Sequence, residues 1–426
     1  MRFLFILILV SSGFGSSAQL SAEEQKILST VRKNMPGNLQ LLEELVNINS
    51  GTLNLTGVKK VGEVLKRKFD KIGFTTQWID LPDSLKRAGH LVASVKGRKG
   101  KGLFLVGHLD TVFEPDMPAN PYKKLNDSTA TGQGANDMKG GDVIILAALQ
   151  ALYENGALND RKLVVYFTGD EEKTGQPSDV SRKDFIERAR QADIALGFEG
   201  AQSLNIVATA RRGASTWQLN VYAKQAHSSG IFNNNYGAIY ESVRIINSFR
   251  EQLSQEKYLT FNPGLFAGGS ELDYDSSQLR AVVSGKTNII SPIAVVAGDL
   301  RFLTEEQKQN ARKKMQAIAT SNNLPGTTAS ISFKDGIPAM EPTRGNEELV
   351  KLLNRISTDL GIGPTIAGDP GSRGAGDISY VAKYVDCIDG LGASGIGAHA
   401  PGETIKLNEF PKLVERAAIL IYRLTR

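Results

Sequence analysis

Seven side chains able to bind metals or move protons stand beside apolar or glycine-rich stretches: His108, Asp110, Asp137, Glu171, Glu172, Glu199 and His399. The run Leu103-Phe-Leu-Val-Gly ends in His108-Leu-Asp110-Thr111, Leu163 to Thr168 ends in Gly169-Asp-Glu171-Glu172, and Ile194 to Phe198 ends in Glu199. Short apolar runs of this kind read as buried strands. Polar residues at their ends then fall at the C-terminal edge of a sheet, where open α/β folds place their chemistry. Asp137 lies in a glycine-rich stretch that opens an apolar helix, Val143 to Tyr153, and His399 lies in Gly397-Ala-His-Ala-Pro-Gly-Glu403.

Each signal has a plain structural reading. Asp at a helix start is usually an N-cap, and three adjacent acids usually form a solvated turn. Against the second reading, the strand before Gly169 is almost wholly apolar, and clustered carboxylates repel one another unless cations sit among them. Together, two His and three carboxylates suit a pair of zinc ions, each taking one His and one terminal carboxylate and sharing a bridging carboxylate and a water. Two carboxylates remain. Asp110 can accept the second ring N–H of His108 and fix its tautomer, and Glu171 can take a proton from the water.

These side chains need a scaffold, and the periodicities supply one. Helical spacing covers 21–49 and 56–72, 346–360 and 407–424, and strands are expected at 74–79, 90–95 and 385–389. His90 opens one of those strands with no acidic companion in sequence and reads as structural. Between 209 and 333 the order becomes β-α-β-β-α-β, the ferredoxin-like arrangement. That span reads as a second domain inserted into a catalytic domain made of 19–208 and 334–426. Within it, 268–286 is long and largely polar and reads as a mobile loop, while Gly371-Ser-Arg373-Gly-Ala-Gly-Asp377 reads as a glycine-rich loop opening a further helix.

A formal charge of +5 over 426 residues, with lysines and arginines scattered, points away from a nucleic-acid binder. The basic run Lys96 to Lys101 is interleaved with glycine and reads as a solvated turn. Arg2, the apolar stretch Phe3 to Val10 and the small residues Ser16-Ser-Ala18 have the layout of a secretory signal at 1–18, so export to the periplasm or beyond is expected. No cysteine near the cleavage site offers a lipid anchor. The single Cys387 precludes an intramolecular disulfide and reads as an inert buried thiol.

Taken in order, His108-Leu-Asp110-Thr, Gly134-Ala-Asn-Asp137-Met-Lys-Gly-Gly, Gly169-Asp-Glu171-Glu172, Glu199-Gly and His399-Ala-Pro-Gly-Glu resemble the co-catalytic zinc peptidases and deacylases. That family includes bacterial glutamate carboxypeptidase, acetylornithine deacetylase, succinyl-diaminopimelate desuccinylase and aminoacylase, and the resemblance runs through the mature chain. It implies a mixed-sheet α/β catalytic domain with a ferredoxin-like lid that dimerises. Asp137 would bridge two Zn2+ (Co2+ or Mn2+ being alternatives), His108 and Glu199 would complete one site, Glu172 and His399 the other, and Glu171 would be the general base. It also implies a cis peptide after Asp137. His227 would be the lid histidine that reaches an oxyanion, usually across a homodimer, and Asn288, Arg301 and Arg373 would bind substrate. Glu rather than Asp at 199 leans toward carboxypeptidase or acylase use. The expected substrate is a peptide or N-acyl amino acid whose amide lies beside a free carboxylate, closest to the glutamate carboxypeptidase branch, with a deacylase or dipeptidase as the alternative. A catalytically silent interaction protein is disfavoured because every ligand is present. Two departures, a long tract between Gly269 and Asn288 and the pair Arg211-Arg212, bear on the substrate pocket and not on the metals.

Overall fold

The apolar runs become a six-stranded sheet in the order Thr75–Ile79, His90–Val95, Arg161–Thr168, Lys99–His108, Ile194–Gly197, Asp386–Ile388. The two junctions on the first side are antiparallel and the other three parallel, so the sheet is mixed. This computed structural model describes residues 20–426; the expected signal at 1–18 lies outside them.

Period-two alternation divides the Lys99–His108 strand between two cores. Leu103 and Leu105 join a large cluster with the helices Ala22–Val46, Gly140–Glu154 and Phe410–Leu424. Phe104 and Val106 face the opposite way, toward Phe185, Tyr166 and Cys387. Each fully buried Leu or Phe contributes about 1.5–3 kcal/mol, so a one-residue slip of this strand would exchange both cores at once. Registry of the parallel strands pairs His108 with Thr168 and Val106 with Gly197, which brings the three polar strand ends to one edge.

A second, smaller sheet was not expected. It runs Gly395–Ile396, Thr404–Lys406, Thr129–Thr131, Lys123–Asn126, all antiparallel. Its strands are two to four residues long and mostly polar, too short to leave a periodic signature. The sheet nevertheless decides where His399 goes, because Gly395–Ile396 and Thr404–Lys406 form a hairpin around it, docked on the strand that leads into Asp137.

The inserted segment forms a four-stranded antiparallel sheet, ordered Thr260–Gly269, Ile293–Phe302, Gly213–Ala223, Thr327–Asp335. The helices Gly237–Leu253 and Glu305–Thr320 lie against it, and Trp217, Leu219, Phe249 and Met315 fill its own core. Two expectations are corrected. The tract 268–286 is not a mobile loop: Glu271–Asp275 and Arg280–Ser284 pair as a hairpin. Its polar-apolar alternation (Glu271, Leu272, Asp273, Tyr274) is that of a strand, and Asp275 accepts the Ser277 N–H at 2.8 Å to close the turn. The glycine-rich loop opens only the short 3-10 turn Asp377–Tyr380 rather than a full helix.

Candidate metal centre

Asp137 stands between two histidines. His108 Nε2 lies 3.2 Å from its Oδ1, and His399 Nε2 lies 3.1 Å from its Oδ2. Glu199 Oε1 is 3.6 Å from His108 Nε2, and Glu172 Oε2 is 3.1 Å from His399 Nε2. The result is two triples, His108/Asp137/Glu199 and Asp137/Glu172/His399, in each of which the ligand atoms lie within 4.8 Å of one another. The peptide from Asp137 to Met138 is cis. His108 Nδ1 is 3.0 Å from the Asp110 carbonyl oxygen, so that nitrogen donates and Nε2 is left with its lone pair toward the carboxylates.

The electrostatics follow from crowding several carboxylates and two imidazoles into a buried strand edge. Burial pushes Glu199 up to about 8, with the Asp137 charge adding to it and His108 and Arg211 opposing. Burial and then Glu199 hold Glu171 well above the usual carboxylate range. Glu172 is raised by burial against the opposing contact with His399. The hydrogen bonds to Asp137 and Glu172 lift His399 to about 11. Divalent cations held by these groups would compete with protons for them. Glu172 Oε1 is buried with no hydrogen-bond partner, an acceptor that a cation would satisfy. The donor set, two imidazoles and three carboxylates, fits a pair of such ions.

Asp110 lies beside His108 and has further partners. Its carboxylate Oδ1 is 3.5 Å from His108 Nδ1, and the shorter contact of that nitrogen goes to the carbonyl. The carboxylate also accepts the backbone N–H groups of Glu171 at 3.0 Å and Glu172 at 3.1 Å and the Thr52 hydroxyl at 2.6 Å. It therefore orients the strand end carrying the proposed base.

Behind that strand end lies a buried network that sequence reasoning missed. Arg182 Nε donates to Asp377 at 2.8 Å and Nη1 to Asp170, and Thr168 donates to Asp377 at 2.5 Å. His90 confirms its structural reading: Nδ1 accepts the Gly169 N–H at 3.1 Å, and Nε2 lies 3.1 Å from the Ser181 carbonyl. Arg182 comes from a segment without apolar periodicity, so nothing flagged it. Beside Glu199, Arg211 pairs with Asp389 at 2.9 Å, both buried. Asp389 follows a parallel strand and could have been found by the strand-end rule that identified the others. A Cβ at Gly376 would sit 1.9 Å from Arg211 Nη1, so only glycine permits that approach.

The remaining candidates divide. Arg373 donates to the Gly200 carbonyl at 2.8 Å, next to Glu199. His227 and Asn288 are brought together in the lid, where Ala226–His227 pairs with Ile289–Ile290 and Ser228 N donates to Asn288 O at 2.9 Å. Arg301 lies near the opposite end of the Ile293–Phe302 strand, roughly 25 Å away at about 3.3 Å per residue, and pairs with Asp299 at 2.9 Å. The structure therefore does not gather Asn288 and Arg301 at one point of the chain.

Comparison with known proteins finds relatives in both sequence and fold. Carboxypeptidase G2 from Pseudomonas sp. (strain RS-16) is 26% identical over 429 residues, covering 98% of this chain and 96% of that protein. The aminopeptidase PepT structure from Bacillus cereus superposes with a TM-score of 0.74 at 19% identity, covering 92% of this chain and 99% of that one. The YXEP protein of Bacillus subtilis, described as a dinuclear metal binding peptidase, superposes with a TM-score of 0.67 at 13% identity, covering 92% and 99%. The family model for Peptidase family M20/M25/M40 matches residues 104–423, three quarters of the sequence, and the chain is a metallohydrolase belonging to that family.

Proposed function

We propose that this chain is an exported two-zinc hydrolase that cleaves an amide beside a free carboxylate, as a glutamate-type carboxypeptidase. The observation that carries the reading is Asp137, faced on its two oxygens by His108 and His399 with Glu199 and Glu172 completing the triples. His108, Asp137 and Glu199 would hold one cation, and Asp137, Glu172 and His399 the other; cobalt or manganese would fit the same donors. Two such ions, when bound, supply the charge that acidifies a water and polarises a carbonyl. Glu171 accepts the proton of the attacking water on its carboxylate and passes it to the departing amine nitrogen. Its carboxylate sits buried among the ligand groups, and burial, then Glu199, raises its proton affinity.

The substrate assignment is supported by the relative named carboxypeptidase G2 and by Arg373 beside Glu199, a guanidinium suited to a carboxylate. The lid, read as 209–333, would mediate a homodimer in which the partner subunit's His227 donates to the oxyanion. Export rests on the residue pattern of 1–18. Among the described residues no helix is long and apolar enough to cross a membrane.

The test is a hydrolysis screen with purified, zinc-loaded protein. Peptides and acyl conjugates ending in free Glu or Asp should be cleaved, and amidation of that terminal carboxylate should abolish turnover. Comparable rates on the amidated substrates, or a clear preference for N-acetyl derivatives of neutral amino acids, would replace the carboxypeptidase reading with a deacylase one.

A further inference from the structure

Glu403 ends the stretch that carries His399, belongs to neither ligand triple, and is wholly buried. Its Oε1 accepts the backbone N–H of Asn136 at 2.6 Å and of Asp137 at 2.8 Å, and its Oε2 accepts that of Gly134 at 3.1 Å. Its carbonyl oxygen accepts the Thr131 hydroxyl at 2.7 Å and the Gly132 N–H at 3.1 Å. Its own N–H donates to Ala400 O at 3.1 Å, closing the turn that follows His399. One residue is thus bonded to both segments, 134–137 and 399–402, which come from distant parts of the chain.

We propose that Glu403 is a positioning residue that locks the Asp137 loop to the His399 turn and so sets the geometry of the Asp137/Glu172/His399 triple. The turn needs such a lock. His399 itself has a φ of 66°, a left-handed conformation that a non-glycine residue holds only when its surroundings impose it. The effect on the two triples is unequal. Two of the three ligands in the Asp137/Glu172/His399 triple sit on segments that Glu403 ties. In the other triple only Asp137 does, because His108 and Glu199 are fixed by the ends of the central strands. A neutral amide cannot replace the carboxylate: of its two heads only the oxygen accepts, so at least one of the three N–H groups loses its partner and meets a donor.

The inference rests on the two-cation reading, and the experiment separates the two. Metal-free full chain is titrated calorimetrically with Zn2+, the Co2+ absorption spectrum is recorded alongside, and the thermal midpoint of the metal-free protein is measured. Wild type should take up two equivalents. Glu403→Gln should weaken one of them by roughly 10–100-fold, the range for loss of a ligand-orienting partner, and leave the other essentially in place. The surviving Co2+ spectrum should match that of His399→Ala. Should Glu403→Gln not fold, Glu403→Asp, which keeps the charge and withdraws the oxygens by one methylene, is expected to show the same one-sided loss. Equal weakening of both equivalents, or unchanged binding with only a lower thermal midpoint, would overturn the positioning role and leave the two-cation reading standing. Failure of wild type to take up metal would overturn that reading itself.

Discussion

Asp110 holds Glu171 by its backbone: the carboxylate Oδ1 accepts the Glu171 N–H at 3.0 Å, while Oδ2 accepts the neighbouring Glu172 N–H at 3.1 Å and the Thr52 hydroxyl at 2.6 Å. One fully buried acid therefore orients both the proposed base and a proposed ligand. Asp110→Asn turns one acceptor into a donor facing a donor. It should lower kcat by about 10–100-fold and weaken metal uptake, whereas Thr52→Val, which removes a single bond to the same oxygen, should cost much less. Steady-state kinetics with calorimetric titration of zinc compare the two variants, and equal effects would argue against the backbone grip as the source.

Glu171 belongs to neither ligand triple and sits beside both. Glu171→Gln keeps the side chain's size and removes the proton acceptor. Turnover should fall by a factor of about 10²–10⁴ or more with two metal equivalents retained. Near-normal kcat in the metal-replete variant would remove the general-base assignment.

Arg182, wholly buried, is the only cation bonded to both Asp170 and Asp377 among the described residues. Arg182→Met leaves two buried carboxylates without their counter-charge, and destabilisation of about 3–5 kcal/mol is expected from breaking such a group. Arg182→Lys keeps the charge and loses the fork, so it should recover only part of that stability. Urea unfolding of the metal-free protein reads both, and a loss within about 0.5 kcal/mol, as for an ordinary surface position, would show that the network is not structural.

The N-terminal helix is tied to the C-terminal one by Glu24, which accepts from Arg423 at 2.6 Å and from the Ser21 N–H at 2.8 Å. Burial would raise the Glu24 pKa, but Arg423 and Ser21 outweigh it and hold it below the ordinary glutamate value. A carboxyl depressed on folding stabilises the protein above its unfolded pKa, and that contribution is lost as pH falls through the lower folded value. Glu24→Gln should therefore cost about 2 kcal/mol near pH 7, and that cost should shrink as pH falls below the ordinary glutamate value and through the lower folded one. Thermal midpoints of both proteins across that range should converge on acidification; a constant gap would contradict the linkage.

Legibility in the sequence followed the length of each element. His108, Glu171, Glu172 and Glu199 were readable because each ends an apolar run long enough to declare a buried strand, and parallel pairing then aligned the ends. His399 was readable only through the motif it belongs to. What carries it to Asp137 is a hairpin of strands two and three residues long, held by backbone bonds that leave no periodic trace. The Glu271–Ser284 hairpin is hard to see in the sequence because its strands are five residues each, largely solvent-facing, and only the first alternates polar with apolar residues. Arg182 and Arg211 were invisible as buried groups, since a buried arginine is defined by the acids that fold around it, and Asp377 and Asp389 lie far along the chain.

The most direct test of the central claim, two cations sharing the Asp137 carboxylate, is elemental analysis of the purified active protein paired with Asp137→Asn. Wild type should contain about two divalent metal ions per chain, and the variant should lose both together with activity. An active wild type without stoichiometric metal, or a variant that keeps one ion at full affinity, would contradict the account.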